Sequence, residues 1–239
     1  MGNAIISGAT KGIGRAIAEK LVREGMNVAF CARNTEEIEQ TLGELKAINP
    51  EVSLIGERRD MSQPQEARDF GISVLGQWET VHLVVNNTGR FVPGDIHNED
   101  EGLLESMIET NLYSAYHLTR ALLPAMMNNE SEQGSRGHIF TICSVAGLQP
   151  YKNGGSYSIS KYALHGFTQN LRAELQPYAI KVTSVNPGAT FSDSWKGMDI
   201  DENRIMKASD IADMIWTVYQ LSPQTVVEEI VMRPQLGDL

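Results

Sequence analysis

Short runs rich in Val and Ile recur along the chain, at Ala4 to Ile6, Val28 to Ala32, Val52 to Ile55, Val81 to Val85, Ile139 to Cys143, Val182 to Val185 and Ile230 to Met232. Each has the length of a buried strand. Between them, apolar residues return every three or four positions in Ile13 to Glu24, Glu36 to Ile48, Gln63 to Leu75, Leu103 to Met127, Ser156 to Leu175 and Ser209 to Leu221. That spacing predicts helices. Strand–helix alternation implies a parallel sheet with helices on both faces, because parallel neighbours need crossovers and these are right-handed. The expected fold class is α/β, a doubly wound parallel sheet of about seven strands, as one domain over 1–239.

Two segments stand out from this pattern. The polar stretch from Asn128 to Gly137 reads as an exposed loop rather than a boundary, because the strand pattern resumes directly after it. The helix from Leu103 to Met127 is apolar on more than one face: Leu104, Ile108, Leu112, Leu118 and Leu122 are joined by Met107, Tyr113 and Tyr116. Burial against both the sheet and a second subunit would account for that, and so would one wide core face.

Composition narrows the function. At 239 residues, 41% hydrophobic and 21% charged, the chain can bury a large core. A net charge of −10 argues against nucleic acid or an anionic membrane surface as a partner, since both repel an acidic protein. Cys31 and Cys143 each lie in an apolar run, which suits buried reduced thiols and a cytoplasmic setting. The five histidines are scattered without metal-ligand spacing, so no metal is expected. The opening MGNAIISGAT enters an apolar run too early for a signal peptide, and a soluble, uncleaved protein is expected.

The first apolar run leads into SGATKGIG, which places Gly8, Gly12 and Gly14 ahead of a predicted helix. Glycines there let the backbone approach a pyrophosphate, and the free N–H groups of the helix start attract it. The following strand should end beside an adenosine ribose, where an acidic residue marks NAD sites. This sequence has Ala32 and Arg33 instead. Arg33 and Lys11 can bracket a 2′-phosphate, which favours NADP(H), unless they are ordinary surface cations.

Near the start of the Ser156 helix, Tyr157 and Lys161 are four residues apart and share one face. A cation about 5 Å from a phenol stabilises the phenolate by roughly 3 kcal/mol at an effective dielectric of about 20. Its pKa is then expected to fall by about 2. Tyr157 could so give a proton to a carbonyl oxygen or take one from an alcohol.

With these motifs in order, the chain resembles the short-chain dehydrogenase/reductase family over nearly its whole length. The glycine turn matches Gly8, Gly12 and Gly14; the Asn-Asn-Ala-Gly element matches Asn86-Asn87-Thr88-Gly89; and the catalytic tetrad matches Asn111, Ser144, Tyr157 and Lys161. Asp60 and Met61 match the pair that contacts the adenine, and Pro187-Gly188 the turn bordering the nicotinamide. The resemblance implies a Rossmann-type fold and a cofactor site that also includes Thr10, Ile13, Thr190 and Ser192. It implies Tyr157 as acid/base, Ser144 bonding the substrate oxygen, Lys161 holding the nicotinamide ribose, and Asn111 anchoring a water of a proton relay. Two residues depart from the family pattern: Thr88 replaces alanine, and Ser192 stands where threonine is commoner. Structural alternatives exist for three residues: Ser144 closing a strand, Asn111 facing solvent from a helix, and Asn87 bracing strands.

The resemblance also implies a homodimer or homotetramer acting on a small-molecule carbonyl or alcohol. A short substrate lid is expected near 189–207, where Phe191, Trp195, Met198 and Ile200 could form an apolar wall or simply pack a short helix. The closing Glu228 to Pro234 and the stretch Leu148 to Lys152 resemble hydroxy-acid dehydrogenases and sepiapterin reductases, while much else is similar to 3-oxoacyl-[acyl-carrier-protein] reductases. A non-catalytic NADPH sensor or scaffold is the alternative from another class. No serine has the flanking glycines of a hydrolase elbow.

Overall fold

The computed structural model describes residues 2–130, 134–191 and 204–238. Its strands are β1 Asn3–Ser7, β2 Asn27–Ala32, β3 Leu54–Arg58, β4 Leu83–Asn86, β5 Gly137–Ile142, β6 Ile180–Pro187 and β7 Glu229–Met232. They form one parallel sheet in the order β3-β2-β1-β4-β5-β6-β7. The helices are α1 Gly12–Arg23, α2 Thr35–Ile48, α3 Pro64–Leu75, α4 Leu103–Ile108, α5 Ser114–Asn128, α6 Gly155–Leu175 and α7 Ala208–Tyr219.

Successive strand residues point to opposite faces, so each strand feeds two cores. On one face Ile6, Val28, Phe30 and Val85 meet Ile17 and Leu21 of α1 and Ile211 and Ile215 of α7. On the other, Ile5, Val84 and Val182 meet Phe70 of α3, Leu118 and Leu122 of α5 and Leu171 of α6. Burying each such side chain contributes about 1.5–3 kcal/mol. Because β1 lies between β2 and β4, the winding reverses there, and the carboxyl ends of these strands part to open a crevice.

Three expectations need correction. Strands β3 and β4 each begin two residues later than their apolar runs; Val52 and Val81 are buried ahead of them, while β3 itself runs into Glu57 and Arg58. As the sheet edge it has only β2 beside it, so its end tolerates charge. The Leu103 to Met127 helix is interrupted by a π-turn at Glu109–Tyr113. The wider turn accompanies an Asn111 that is fully buried rather than facing solvent. Asn129, in the stretch expected to be exposed, is also buried, and its amide donates to Val81 O and Arg136 O, both at 2.7 Å.

Candidate active site

The turn after β1 is shaped by its glycines. Gly8 and Gly12 have φ of 73° and 57°, in the left-handed region that glycine enters freely. Gly14 has a different role, since a side chain there would run into the carbonyl oxygen of Gly8 and the amide of Asn87. Asn87 Nδ2 donates to Gly8 O at 2.6 Å and Ser7 O at 3.1 Å, so it does brace the ends of β1 and β4. Lys11 precedes α1 with extended backbone and makes no side-chain cap, and the first turn holds no acid. The first N–H groups of α1 are thus left to an anion.

Arg33 is exposed at the end of β2. Lys11 Nζ, however, lies 2.6 Å from Glu37 Oε1, and Thr10 Oγ1 donates to Glu37 Oε2 at 3.2 Å. Glu37 was not legible as a site residue, because an acid in the first turn of α2 reads as ordinary helix-dipole stabilisation. Asp60 Oδ1 accepts from the backbone and hydroxyl of Ser62 at 3.1 and 2.8 Å, with Met61 buried beside it.

At the other end of the crevice, Ser144 follows β5 and caps a short turn through Ala146 N at 3.1 Å. Its hydroxyl is near enough to the Tyr157 phenol to pull the phenol pKa down. Tyr157 meets Phe91 edge to face, with ring centroids 4.9 Å apart. Lys161 is buried one turn further along α6; its Nζ donates to Ile142 O at 3.0 Å and lies 5.8 Å from the Tyr157 ring centre. Asn111 Nδ2 donates to Ser160 Oγ at 2.8 Å and Arg90 O at 3.1 Å, while its Oδ1 accepts from Arg90 N at 2.8 Å. A methyl group on Gly89 would lie 3.2 Å from Asn111 Oδ1 and 3.4 Å from Lys161 Nζ.

Burial pushes the Tyr157 phenol up to about 12, against the opposing pull of the Ser144 hydroxyl. The expected lowering by Lys161 is therefore reversed. Helical spacing gave the distance but not the solvation, and the ammonium is directed at Ile142 O. Burial likewise lowers Lys161 to about 8. Cys31 and Cys143 are buried free thiols, pushed up to about 12 and about 11 by burial, which leaves them unreactive.

The turn after β6 closes this end. Gly188 N donates to Met232 O at 2.8 Å, Thr190 Oγ1 to Gly188 O at 3.0 Å, and Ala189 N to Asp238 Oδ1 at 3.1 Å. Asp238, itself paired with Arg233, carried no motif that sequence reading could use. Phe191 is exposed, and its N–H bonds to Met206 O at 2.8 Å, so the two ends of the expected lid meet. Ser192, Trp195, Met198 and Ile200 lie outside the described residues.

One cavity of about 850 Å³ collects Gly8, Thr10, Lys11, Gly12, Ile13, Arg33, Asp60, Met61, Asn87, Gly89, Ser144, Tyr157, Lys161, Pro187, Gly188 and Thr190. Gly14 and Asn111 are not on its lining; they bond or pack behind it. The sequence pattern of the short chain dehydrogenase family matches residues 2–203. The chain belongs to that family.

Relatives of this short chain dehydrogenase match it end to end. An uncharacterized oxidoreductase of Staphylococcus epidermidis is 31% identical over 233 residues, covering 97% of this chain and 96% of its own. A sepiapterin reductase of Chlorobaculum tepidum is 29% identical, with 98% and 97% covered. Among solved structures, an alcohol dehydrogenase from the archaeon Thermococcus sibiricus, complexed with 5-hydroxy-NADP, superposes with a TM-score of 0.89 at 26% identity. That comparison covers 100% of this dehydrogenase and 99% of the archaeal chain.

Proposed function

We propose that the protein is an NADP(H)-dependent carbonyl reductase of small molecules, working as one domain with Tyr157 as proton donor. The observation that carries this is a single cavity that brings Ser144, Tyr157 and Lys161 together at one end and has, at its far end, a glycine turn with uncapped helix N–H groups. That donor set fits a dinucleotide: N–H groups of α1 for the pyrophosphate, Arg33 for the 2′-phosphate, Asp60 and Met61 for the adenine, and Lys161 for the nicotinamide ribose. Arg33, with no acidic residue in the ribose position, favours NADP(H), and the archaeal neighbour carries a derivative of it.

Bound there, the nicotinamide supplies or accepts the hydride. The chain's own groups handle the proton. A phenol held up to about 12 keeps its proton at neutral pH and donates it to the carbonyl oxygen, to which Ser144 adds a second hydrogen bond. Asn111 has both amide protons committed to protein groups, but Oδ1 keeps one lone pair for a water in the space beyond Gly89 towards Lys161. That water returns a proton from solvent.

A sepiapterin-reductase-like or hydroxy-acid-dehydrogenase-like substrate is the finer reading, supported by the Chlorobaculum relative. Phe91 and Tyr151, edge to face at 6.4 Å, give the substrate side an aromatic wall suited to a flat carbonyl compound. Against a 3-oxoacyl carrier protein stands the net charge of −10, which repels an acidic carrier. Leu104, Tyr113 and Tyr116 are exposed on α4, the π-turn and α5 while Met107, Leu118 and Leu122 fill the core, so the second apolar face is offered to another subunit. NADPH oxidation against a panel of pterins, diketones, quinones, hydroxy-acid ketones and 3-oxoacyl thioesters tests the reading. Turnover of one class assigns the branch, and tight NADPH binding with turnover of none favours the sensor.

A further inference from the structure

Helix α6 carries the proton donor, yet its own sequence supplies no cap: Gly154 precedes it, no side chain of its own bonds its first N–H groups, and its first turn holds no acid. The missing partner comes from the loop between β4 and α4. Glu99 Oε1 accepts from Ser156 N at 2.8 Å, and Glu99 Oε2 accepts from the Ser156 hydroxyl. The carboxylate thus caps the helix from 57 positions away, one residue before Tyr157.

The surroundings are built for this contact. Gly155 has φ of 29°, and a side chain on it would collide with the Glu99 carboxylate and the Gly94 carbonyl oxygen. Gly94 in turn allows Glu99 to pass, since a Cβ there would lie 2.8 Å from Glu99 Cγ. Gly94 N donates to Asn153 O at 3.0 Å, tying the loop to the approach of the helix a second time. Glu99 is half-buried between exposed neighbours Asn98 and Asp100. At the start of the same loop, Phe91 rests against the Tyr157 ring.

We propose that Glu99 is a positioning residue of the reaction: it fixes the first turn of the Tyr157 helix and, through the loop it anchors, holds Phe91 as the substrate-side wall. The idea rests on Tyr157 being the proton donor. Reaction rates are sensitive to placement, because a shift of about 1 Å in a reacting group can cost about 10² in rate. The loop from Phe91 to Glu99 touches Tyr157 and Ser156 rather than the glycine turn, so its loss should spare cofactor binding.

The experiment compares Glu99→Ala and Glu99→Gln in the full chain. It reads kcat, KM for the carbonyl compound, Kd for NADPH, and hydrogen exchange of the Ser156 and Tyr157 amides without cofactor. Glu99→Ala is expected to lower kcat by about tenfold or more, raise the carbonyl KM, leave the NADPH Kd within about twofold, and speed exchange at Ser156. Glu99→Gln keeps an acceptor oxygen for Ser156 N and is expected to recover most of kcat and of the protection. A Glu99→Ala protein with wild-type kcat overturns the inference, as does one whose NADPH Kd rises as much as its carbonyl KM. Should Glu99→Ala not fold, Glu99→Gln with slow Ser156 exchange but tenfold lower kcat also overturns it, while retained kcat supports it. Near-normal turnover in Tyr157→Phe would instead remove the proton-donor reading beneath it, so the two failures are distinguishable.

Discussion

The Lys161 ammonium donates to the carbonyl oxygen of Ile142, the last residue of β5, at 3.0 Å. That bond ties the second turn of α6 to the strand from which Ser144 emerges, so Tyr157 and Ser144 are held by one anchored pair of elements. Lys161 is held in place by a strand carbonyl rather than by the phenol.

The pH dependence follows from that burial. Lys161 carries its charge below about 8 and loses it above, whereas Tyr157 keeps its proton up to about 12. Reduction needs both, so kcat/KM is expected to fall as pH rises through about 8. A profile that stays flat to about pH 10 would assign no role to the lysine charge.

Cofactor choice is expected to turn on two side chains of opposite sign. Arg33→Ala should weaken NADPH binding by roughly 10- to 150-fold and NADH binding little, as one lost charge-assisted contact costs about 1.5–3 kcal/mol. Glu37→Gln should act in the other direction, tightening NADPH relative to NADH by removing a carboxylate that holds Lys11. Titrations of both variants check this; equal changes for the two cofactors would show that neither residue reads the 2′-phosphate.

Gly14→Ala tests the glycine turn without touching the chemistry. The added methyl must push apart the Gly8 carbonyl and the Asn87 amide, backbone and bracing groups with little room to yield. Overpacking of this kind costs about 1–3 kcal/mol, and each kcal/mol lowers the thermal midpoint by about 2–4 °C in a chain of this size. An unchanged midpoint in thermal unfolding would mean that the close approach does not matter.

Assembly is expected through α4, the π-turn and α5. Sedimentation should show a dimer or tetramer, and Tyr116→Glu should shift it toward monomer, since Tyr116 is exposed beside Tyr113. A wild-type protein that sediments only as monomer would leave that apolar face to the monomer's own surface.

The strands and helices were legible because a doubly wound sheet writes itself as apolar runs alternating with helical spacing, and Ile5 and Ile6 alone already show the two faces. Asn111, Ser144, Tyr157 and Lys161 were singled out by their spacings, and the fold gathers Ser144, Tyr157 and Lys161 on one cavity with Asn111 behind it. What stayed hidden depends on pairs distant in sequence or on local geometry without a compositional mark. Glu99 and Asp238 act on Ser156 and Ala189 from far along the chain. The π-turn around Asn111 leaves the apolar periodicity of its helix intact. The Tyr157 pKa was misjudged for the related reason that spacing reports distance and says nothing of burial.

The most direct test of the account is to measure NADPH binding and carbonyl-dependent NADPH oxidation together, in the wild type and in Tyr157→Phe. The account predicts unchanged NADPH affinity with turnover reduced by about 10² or more, as removal of a positioned acid requires. Turnover near the wild-type value in Tyr157→Phe would contradict it.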